Sequence, residues 1–221
     1  MQFVNIEDNA KALVKYIGTL TDFQIVDPSY PYNHMGATIT DAMLQAGINY
    51  EAVVKPRVNC VYEYHEARTT SGFLKLLARK DPHVLLNWKG EKPNRVLRVA
   101  ELLNAENIET EEQLKTWLAK EENAQKLGKV KGVGNKTLDY FKMLSGMHTS
   151  AIDRHLQSFL HRAGIHVVSY LEAQEVINKA ANQLKVKEST FDHSIWKYMS
   201  DRKGSNSRSC GGKHDFWLKS K

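Results

Sequence analysis

The turn Gly132-Val133-Gly134 and the basic residues around it form the part of the chain best suited to bind a ligand. The sequence predicts one helix before this turn and another directly after it, so the turn presents free backbone N–H groups at a helix N-terminus. Glycine at both corners permits positive φ values and close approach of a ligand. The surrounding lysines are Lys129, Lys131 and Lys136. Together these features predict a phosphate-binding site.

Lys136 and Asp153 lie on either side of the helix that follows the turn. Each has an ordinary structural explanation: a helical lysine is usually solvated, and an Asp before the apolar helix RHLQSFLHRAG is the expected N-cap. The glycine turn could likewise be a simple connection between helices. The combination of an amine and a carboxylate around one helical hairpin nevertheless favours a functional site.

The rest of the chain must position this hairpin, and its pattern is all-α. Apolar residues recur at helical spacing and alternating runs are scarce. Helix starts are marked by Asp81-Pro82 and by the pairs Thr110/Gln113 and Ser169/Glu172. We place helices near 7–18, 37–46, 49–66, 69–79, 82–88, 92–104, 111–119, 121–127, 136–146, 153–163, 170–184 and 190–200.

We divide the chain into four parts. Residues 1–36 form an N-terminal helix and loop, and residues 37–130 a helical subdomain. Residues 131–200 contain the helical hairpin and the C-terminal helices, which we expect to pack with the N-terminal segment. Residues 202–221 are rich in Gly, Ser and basic side chains and are expected to form a flexible tail, although two aromatic residues there, Phe216 and Trp217, could instead dock.

Composition excludes several classes of protein. The chain has 221 residues and a formal charge of +6, which suits a polyanionic partner. It contains no run of roughly 18 apolar residues that could cross a bilayer, and its acidic start is unlike a signal peptide, so we expect no membrane association and a cytoplasmic protein, nucleoid-associated in a prokaryote. Two distant cysteines, Cys60 and Cys210, cannot form a four-thiolate metal or iron–sulfur site.

The segments KVKGVGNKTLDYF and SAIDRHLQSFL resemble the helix-hairpin-helix/Gly-Pro-Asp superfamily of DNA glycosylases, which includes endonuclease III and the 8-oxoguanine DNA glycosylases. In that family an LPGVGxKTA-like hairpin is followed by a VDxH-like segment, and both line the cleft that receives a flipped base. A weaker similarity covers residues 44–55 and 94–103. The resemblance implies two helical subdomains flanking a cleft, without the iron–sulfur cluster that some members carry.

The resemblance also implies roles for individual residues. Lys136 falls on the catalytic lysine of the bifunctional enzymes, and Asp153 on the aspartate shared by the superfamily. Residues expected to hold the DNA backbone are Lys129, Lys131, Gly132, Val133, Gly134 and His155. Gln45 is the candidate wedge into the duplex, and Asp192 and Trp196 are candidate pocket residues. Two departures are Lys131, where proline is usual before the hairpin glycine, and LQAG in place of a polar SAQT-like segment.

Weaker candidates lie elsewhere in the chain. Aromatic and imidazole side chains that could stack on a base, but that are more often part of a core, are Tyr30, Tyr32, His34 and Trp88. Basic residues that could contact phosphate, but that a solvated helix face explains equally well, are Arg68, Lys92, Arg95 and Arg98.

The implied activity is base excision from double-stranded DNA that contains a damaged, mismatched or modified base. The base would be flipped, the N-glycosidic bond cleaved through a lysine Schiff base, and the strand nicked by β-elimination. We expect a monomer that requires no cofactor, although a monovalent or divalent cation could bridge the hairpin carbonyls to phosphate.

Two other functions remain open from the sequence. One is a monofunctional glycosylase in which Lys136 only contacts phosphate, and the other is a non-catalytic helix-hairpin-helix module that binds nucleic acid. The excised base is also open among 8-oxoguanine, an oxidised or mismatched pyrimidine, an alkylated base and an enzymatically modified base.

Overall fold

The structure, a computed structural model, describes residues 5–205, and within that range every regular element is a helix. The α-helices are α1 (Ile6–Gly18), α2 (Met35–Leu44), α3 (Lys55–Tyr62), α4 (Thr70–Arg79), α5 (Pro82–Leu85), α6 (Lys92–Ala105), α7 (Glu111–Leu118), α8 (Glu121–Gly128), α9 (Asn135–Leu144), α10 (Arg154–Arg162), α11 (Tyr170–Gln183) and α12 (Glu188–Ser205). None of these helices is both long and apolar enough to cross a membrane.

The all-α prediction is confirmed, and the helix starts follow from the capping residues. Asp81 caps α5 by accepting a hydrogen bond from the main-chain N–H of His83 at 2.7 Å. Thr110 and Ser169 cap α7 and α11 through the N–H three residues further on, at 3.3 Å and 3.1 Å. Each cap satisfies donors that the first helical turn leaves unpaired.

The single helix predicted over 49–66 is wrong. The chain forms a π-helical turn at Tyr50–Val54, then α3, then a 3₁₀ turn at His65–Arg68. Pro56 explains the first change, because its ring has no N–H to donate and excludes the carbonyl of the preceding turn. At the other end of the chain, α12 continues to Ser205, beyond the expected end at 200. The rest of the predicted tail, including Phe216 and Trp217, lies outside the described residues.

Two hydrophobic clusters form the core. The first runs from Met35 to Leu144 and is built by α2 to α9. The second combines α1 with α10, α11 and α12, and α1 lies against α11. Val133 of the hairpin and Phe141 of α9 belong to the first cluster, so the core changes between Leu144 and Ile152 and not at residue 130.

A buried carboxylate links the two clusters. Asp139 of α9 accepts hydrogen bonds from the hydroxyl of Tyr170 at 2.8 Å and from the carboxamide of Gln174 at 2.9 Å, both on α11. The Tyr170 hydroxyl in turn accepts the main-chain N–H of Ile152 at 3.3 Å. This network fixes the segment that leads into Asp153 at the start of α10.

Candidate active site

Lys136 is the second residue of α9 and follows the glycine turn directly. Its side chain is half-buried, and Nζ donates a hydrogen bond to Oε1 of Gln45 at 2.9 Å. Burial lowers the pKa of Lys136, against the opposing attraction of three carboxylates, those of Asp153, Asp192 and Asp41. A lysine whose pKa is lowered by desolvation has more of the neutral amine, the form that attacks electrophilic carbon.

Asp153 performs the structural task that the sequence suggested, because its Oδ1 caps α10. The oxygen accepts the main-chain N–H groups of His155 and Leu156 at 2.7 Å and 3.0 Å. The same carboxylate raises the pKa of Lys136 more than any other charge around that lysine. Asp153 therefore combines a capping role with an electrostatic influence on the amine.

The two glycines of the turn differ in the space around them: Gly132 is crowded, and Gly134, the open corner of the turn, is not. Gly132 has φ of 98°, and a Cβ there would lie 2.6 Å from Cδ of Arg95. Gly134 is in an extended conformation, with φ of −100°, and a Cβ there would meet no atom within 4 Å. Gly134 is also the N-cap of α9 and provides no side-chain cap. The open corner leaves the first N–H groups of α9 accessible to an anion.

The two glycines should therefore respond differently to alanine. We expect Gly132→Ala to lower the free energy of unfolding by about 1–3 kcal/mol, because φ becomes strained and the Arg95 side chain must move. Gly134→Ala should stay within about 0.5 kcal/mol of the wild type. Urea unfolding followed by circular dichroism measures both. Equal destabilisation by the two variants would contradict this distinction.

The exposed lysines and His155 have different surroundings. Lys129 and Lys131 are exposed and form no ion pair within residues 5–205, so both are accessible to a polyanion. The side chain of His155 is only 8 % exposed, and its ring lies edge-on to Trp196 with centroids 6.3 Å apart. The imidazole is thus buried, whereas the hairpin lysines are exposed.

Asp192 and Trp196 are both on α12. Asp192 is buried, and its Oδ2 accepts the main-chain N–H of Ala151 at 2.8 Å. Burial raises the pKa of Asp192 well above its usual value. The ring of Trp196 is half-buried and lies edge-on to Tyr50 at 5.8 Å between centroids. Trp196 thereby connects the second cluster to Tyr50, which packs against the first.

Asp41 is a functional candidate that the sequence reasoning missed. It lies on α2, a helix whose ten residues are all buried. Its Oδ2 accepts hydrogen bonds from the hydroxyls of Tyr32 and Tyr140 at 2.7 Å and 3.1 Å, with the hydroxyl of Tyr50 at 3.5 Å. Burial raises the pKa of Asp41 to about 6. The sequence signal for Asp41 was a carboxylate within an otherwise apolar helix, because carboxylates are rarely buried unless they are paired or hydrogen-bonded.

Three buried polar atoms on or near α2 have no hydrogen-bond partner. They are Oδ1 of Asp41, Nε2 of Gln45 and the hydroxyl of Tyr30. Asp41 and Gln45 are four residues apart and share one face of the α2 turn. Tyr30 lies edge-on to Tyr140, with centroids 6.4 Å apart, and burial, followed by the charges of Asp192 and Asp41, raises its pKa. Because buried polar groups are nearly always paired, this concentration indicates a place where a ligand or water completes the hydrogen bonds.

The weaker sequence candidates have structural contacts. The cations of Arg57 and Lys92 lie 4.9 Å and 5.4 Å from the ring centroid of Trp88. Arg98 pairs with Glu91 at 2.7 Å. Within residues 5–205, no group of three or more His, Cys, Asp or Glu side chains is arranged to hold a metal ion.

Residues 88–200 match the model of a family described as a domain of unknown function, DUF8548. The chain belongs to the DUF8548 family. The DUF8548 segment contains the hairpin, Lys136, Asp153 and Asp192, whereas Asp41 and Gln45 precede it. No curated protein and no solved structure matches the chain.

The raised pKa of Asp41 predicts a pH dependence for this DUF8548 protein. Folding favours the protonated carboxyl, so the contribution of Asp41 to stability falls as pH rises from about 4 to about 6. Relative to Asp41→Asn, we expect the wild type to lose about 2.5 kcal/mol of unfolding free energy between pH 4 and pH 7.5. Urea unfolding at both pH values measures the difference. The control is Asp201→Asn at an exposed site. The difference in unfolding free energy between the wild type and this variant should be the same at both pH values.

Proposed function

We propose that this protein is a DNA glycosylase with an associated AP lyase activity and that Lys136 is its nucleophile. One observation carries the proposal: a half-buried lysine amine, with its pKa lowered, lies beside Gln45 and under the influence of Asp153, directly after a glycine turn with an open corner. A lysine that only served solubility would not need burial beside three carboxylates.

DNA binding would rest on the hairpin. The free N–H groups at the start of α9 and the exposed Lys129 and Lys131 suit a phosphodiester. Such contacts fix the position of the duplex without reading its sequence, because they touch phosphate and not base edges. The target nucleotide would then be extruded towards Lys136, since its glycosidic carbon is inaccessible within the stack.

The chemistry follows from the two groups on either side of the hairpin. The neutral Lys136 amine attacks C1′, the C1′–N bond breaks, and the base leaves with that electron pair. The Asp153 carboxylate stabilises the positive charge that develops on the sugar. Opening of the sugar ring gives a Schiff base at Lys136. Loss of a C2′ proton then expels the 3′ phosphate and nicks the strand, and water hydrolyses the imine to free the lysine.

Asp41 could provide the proton that the leaving base requires. Its Oδ2 already accepts tyrosine hydroxyls, so a proton on the carboxyl would reside on Oδ1, the oxygen without a partner. A pKa of about 6 leaves part of the carboxyl protonated at neutral pH. Within this proposal, Asp41 is the acid, Asp153 the electrostatic group and Lys136 the nucleophile.

The proposal is tested by sodium borohydride reduction of mixtures of the protein with duplexes that each carry one lesion or an abasic site. Reduction converts a Schiff base into a stable protein–DNA adduct. We expect an adduct and a β-elimination product with the abasic duplex and with at least one lesion. Base release without strand scission or adduct would favour a monofunctional glycosylase, and duplex binding without excision would favour a non-catalytic module.

Gly134 provides a test of the DNA contact alone. Because Gly134→Ala should preserve stability, a loss of affinity would come from the methyl group between the hairpin and a phosphate. We expect affinity for an abasic duplex to fall about tenfold, which corresponds to roughly the free energy of one lost charge-assisted hydrogen bond. Fluorescence anisotropy at fixed salt measures it. Unchanged affinity would mean that the open corner does not face DNA.

A further inference from the structure

Lys92 binds the end of α2 and not a carboxylate. It is the first residue of α6, and its Nζ donates hydrogen bonds to the main-chain oxygens of Leu44 and Ala46, the latter at 2.7 Å. The last carbonyls of a helix have no partner within the helix and carry its negative dipole end, so an ammonium group there is favourable.

The two carbonyls lie on either side of Gln45. Lys92 therefore holds the main chain both before and after the residue whose Oε1 accepts the Lys136 ammonium at 2.9 Å. The chain then turns through Gly47, which has φ of 74°. The main chain of Gln45 itself bonds to the Asp41 oxygen and to the Ile48 N–H, each at 3.2 Å, and Lys92 adds a contact on each side of it.

The surroundings of Lys92 are otherwise cationic or aromatic. The positive charges of Arg95 and Lys136 act on it, and its Nζ lies 5.4 Å from the ring centroid of Trp88. Burial, followed by those two charges, lowers the pKa of Lys92 to about 8. No ion pair involving Lys92 occurs among residues 5–205, so the carbonyls of α2 are its main anchor.

We propose that Lys92 is a positioning residue for Lys136: it fixes the end of α2 so that the Gln45 carboxamide holds the amine in the site. Its contact with the α2 carbonyls also occupies the ammonium group, which the sequence had suggested as a phosphate contact. The effect on catalysis rests on the proposed function of Lys136, whereas the positioning itself rests on the contacts of Lys92 and Gln45.

The positioning is tested first without DNA. In the wild-type protein we expect a nuclear Overhauser contact between the Hε protons of Lys136 and the Hγ protons of Gln45, assigned with Lys136→Gln. In Lys92→Met the contact should be lost, and in Lys92→Arg, which can still donate to two carbonyls, it should persist. Lys75→Met removes one positive charge from an exposed position on α4 and should leave the contact unchanged. Persistence of the contact in Lys92→Met overturns the proposal.

A measurement on the wild type covers the case in which Lys92→Met does not fold. The main-chain amide signals of Gln45 and Gly47, whose peptide units contain the Leu44 and Ala46 carbonyls, should shift together with the Cε signal of Lys92 as that lysine titrates near pH 8. If the two amide signals do not move over the range in which Lys92 loses its proton, the proposal is wrong.

The catalytic consequence is measured by single-turnover borohydride trapping on abasic duplex. We expect the rate of adduct formation to fall about 10- to 100-fold in Lys92→Met, the range expected when a reacting group is misplaced. Duplex affinity should change less than about threefold, since Lys92 holds protein carbonyls and not phosphate. If the wild type forms no adduct but the Gln45 contact depends on Lys92, the lyase proposal fails and the positioning stands. An unchanged rate with a lost contact overturns the link to catalysis.

Discussion

Lys136→Gln should abolish the borohydride-trapped complex with abasic and lesion-containing duplexes. Glutamine has no nucleophilic amine, so neither the covalent bond to C1′ nor the Schiff base can form. Its carboxamide keeps a donor for Gln45, so we expect the variant to fold. We expect adduct formation to fall by about 10³-fold or more, as when the nucleophile is removed from other covalent enzymes.

The matched control for this variant is Lys131→Gln. That lysine is exposed in the hairpin and precedes Gly132, so the substitution removes the same charge from the same surface. It should weaken duplex binding at physiological salt but leave the trapped product intact at saturating protein. Trapped product that survives Lys136→Gln would place the nucleophile elsewhere in the chain.

Asp153→Asn should separate base release from strand scission. Asparagine is as good an N-cap as aspartate, so α10 should start as before and the unfolding free energy should change by less than about 0.5 kcal/mol. The lost carboxylate no longer stabilises the positive sugar, and we expect excision of the lesion base to slow by about 10²- to 10³-fold.

The lyase step should respond much less to the same substitution. Asp153 raises the pKa of Lys136, so its removal leaves more of the amine neutral, which favours attack on an abasic site that has already lost its base. Single-turnover rates on a lesion duplex and on an abasic duplex, measured side by side, give the two effects. An equal loss on both substrates would show that Asp153 does not act on the leaving-base step in particular.

Local features of the fold were predictable because their causes are local. The caps at Asp81, Thr110 and Ser169 act within three residues of themselves, and the glycine turn between α8 and α9 depends on its own backbone. The segment 49–66 was predicted as one α-helix because the periodic pattern of its apolar residues continues through Pro56, whereas the hydrogen bonding changes from π-helical to α-helical next to that proline and the α-helix ends at Tyr62.

The site was only partly predictable, since its remaining members come from distant parts of the chain. Tyr32, Tyr50 and Tyr140 meet around Asp41 only after α2 and α9 have packed together. No spacing in the sequence connects them. Lys92 shows the same limit. The sequence suggests only that this cation could contact phosphate, and does not indicate that it binds carbonyls at the end of another helix.

The amine and the carboxylate belong to separately packed halves of the molecule, since α9 lies in the first cluster and α10 in the second. Groups suited to reading a base, those of Asp41, Gln45 and Tyr30, belong to the first half or to the loop before it. Because Asp41 is also the proposed acid and Gln45 also holds the nucleophile, mutations on α2 would change lesion preference and reactivity together, whereas the contribution of α10 through Asp153 would persist.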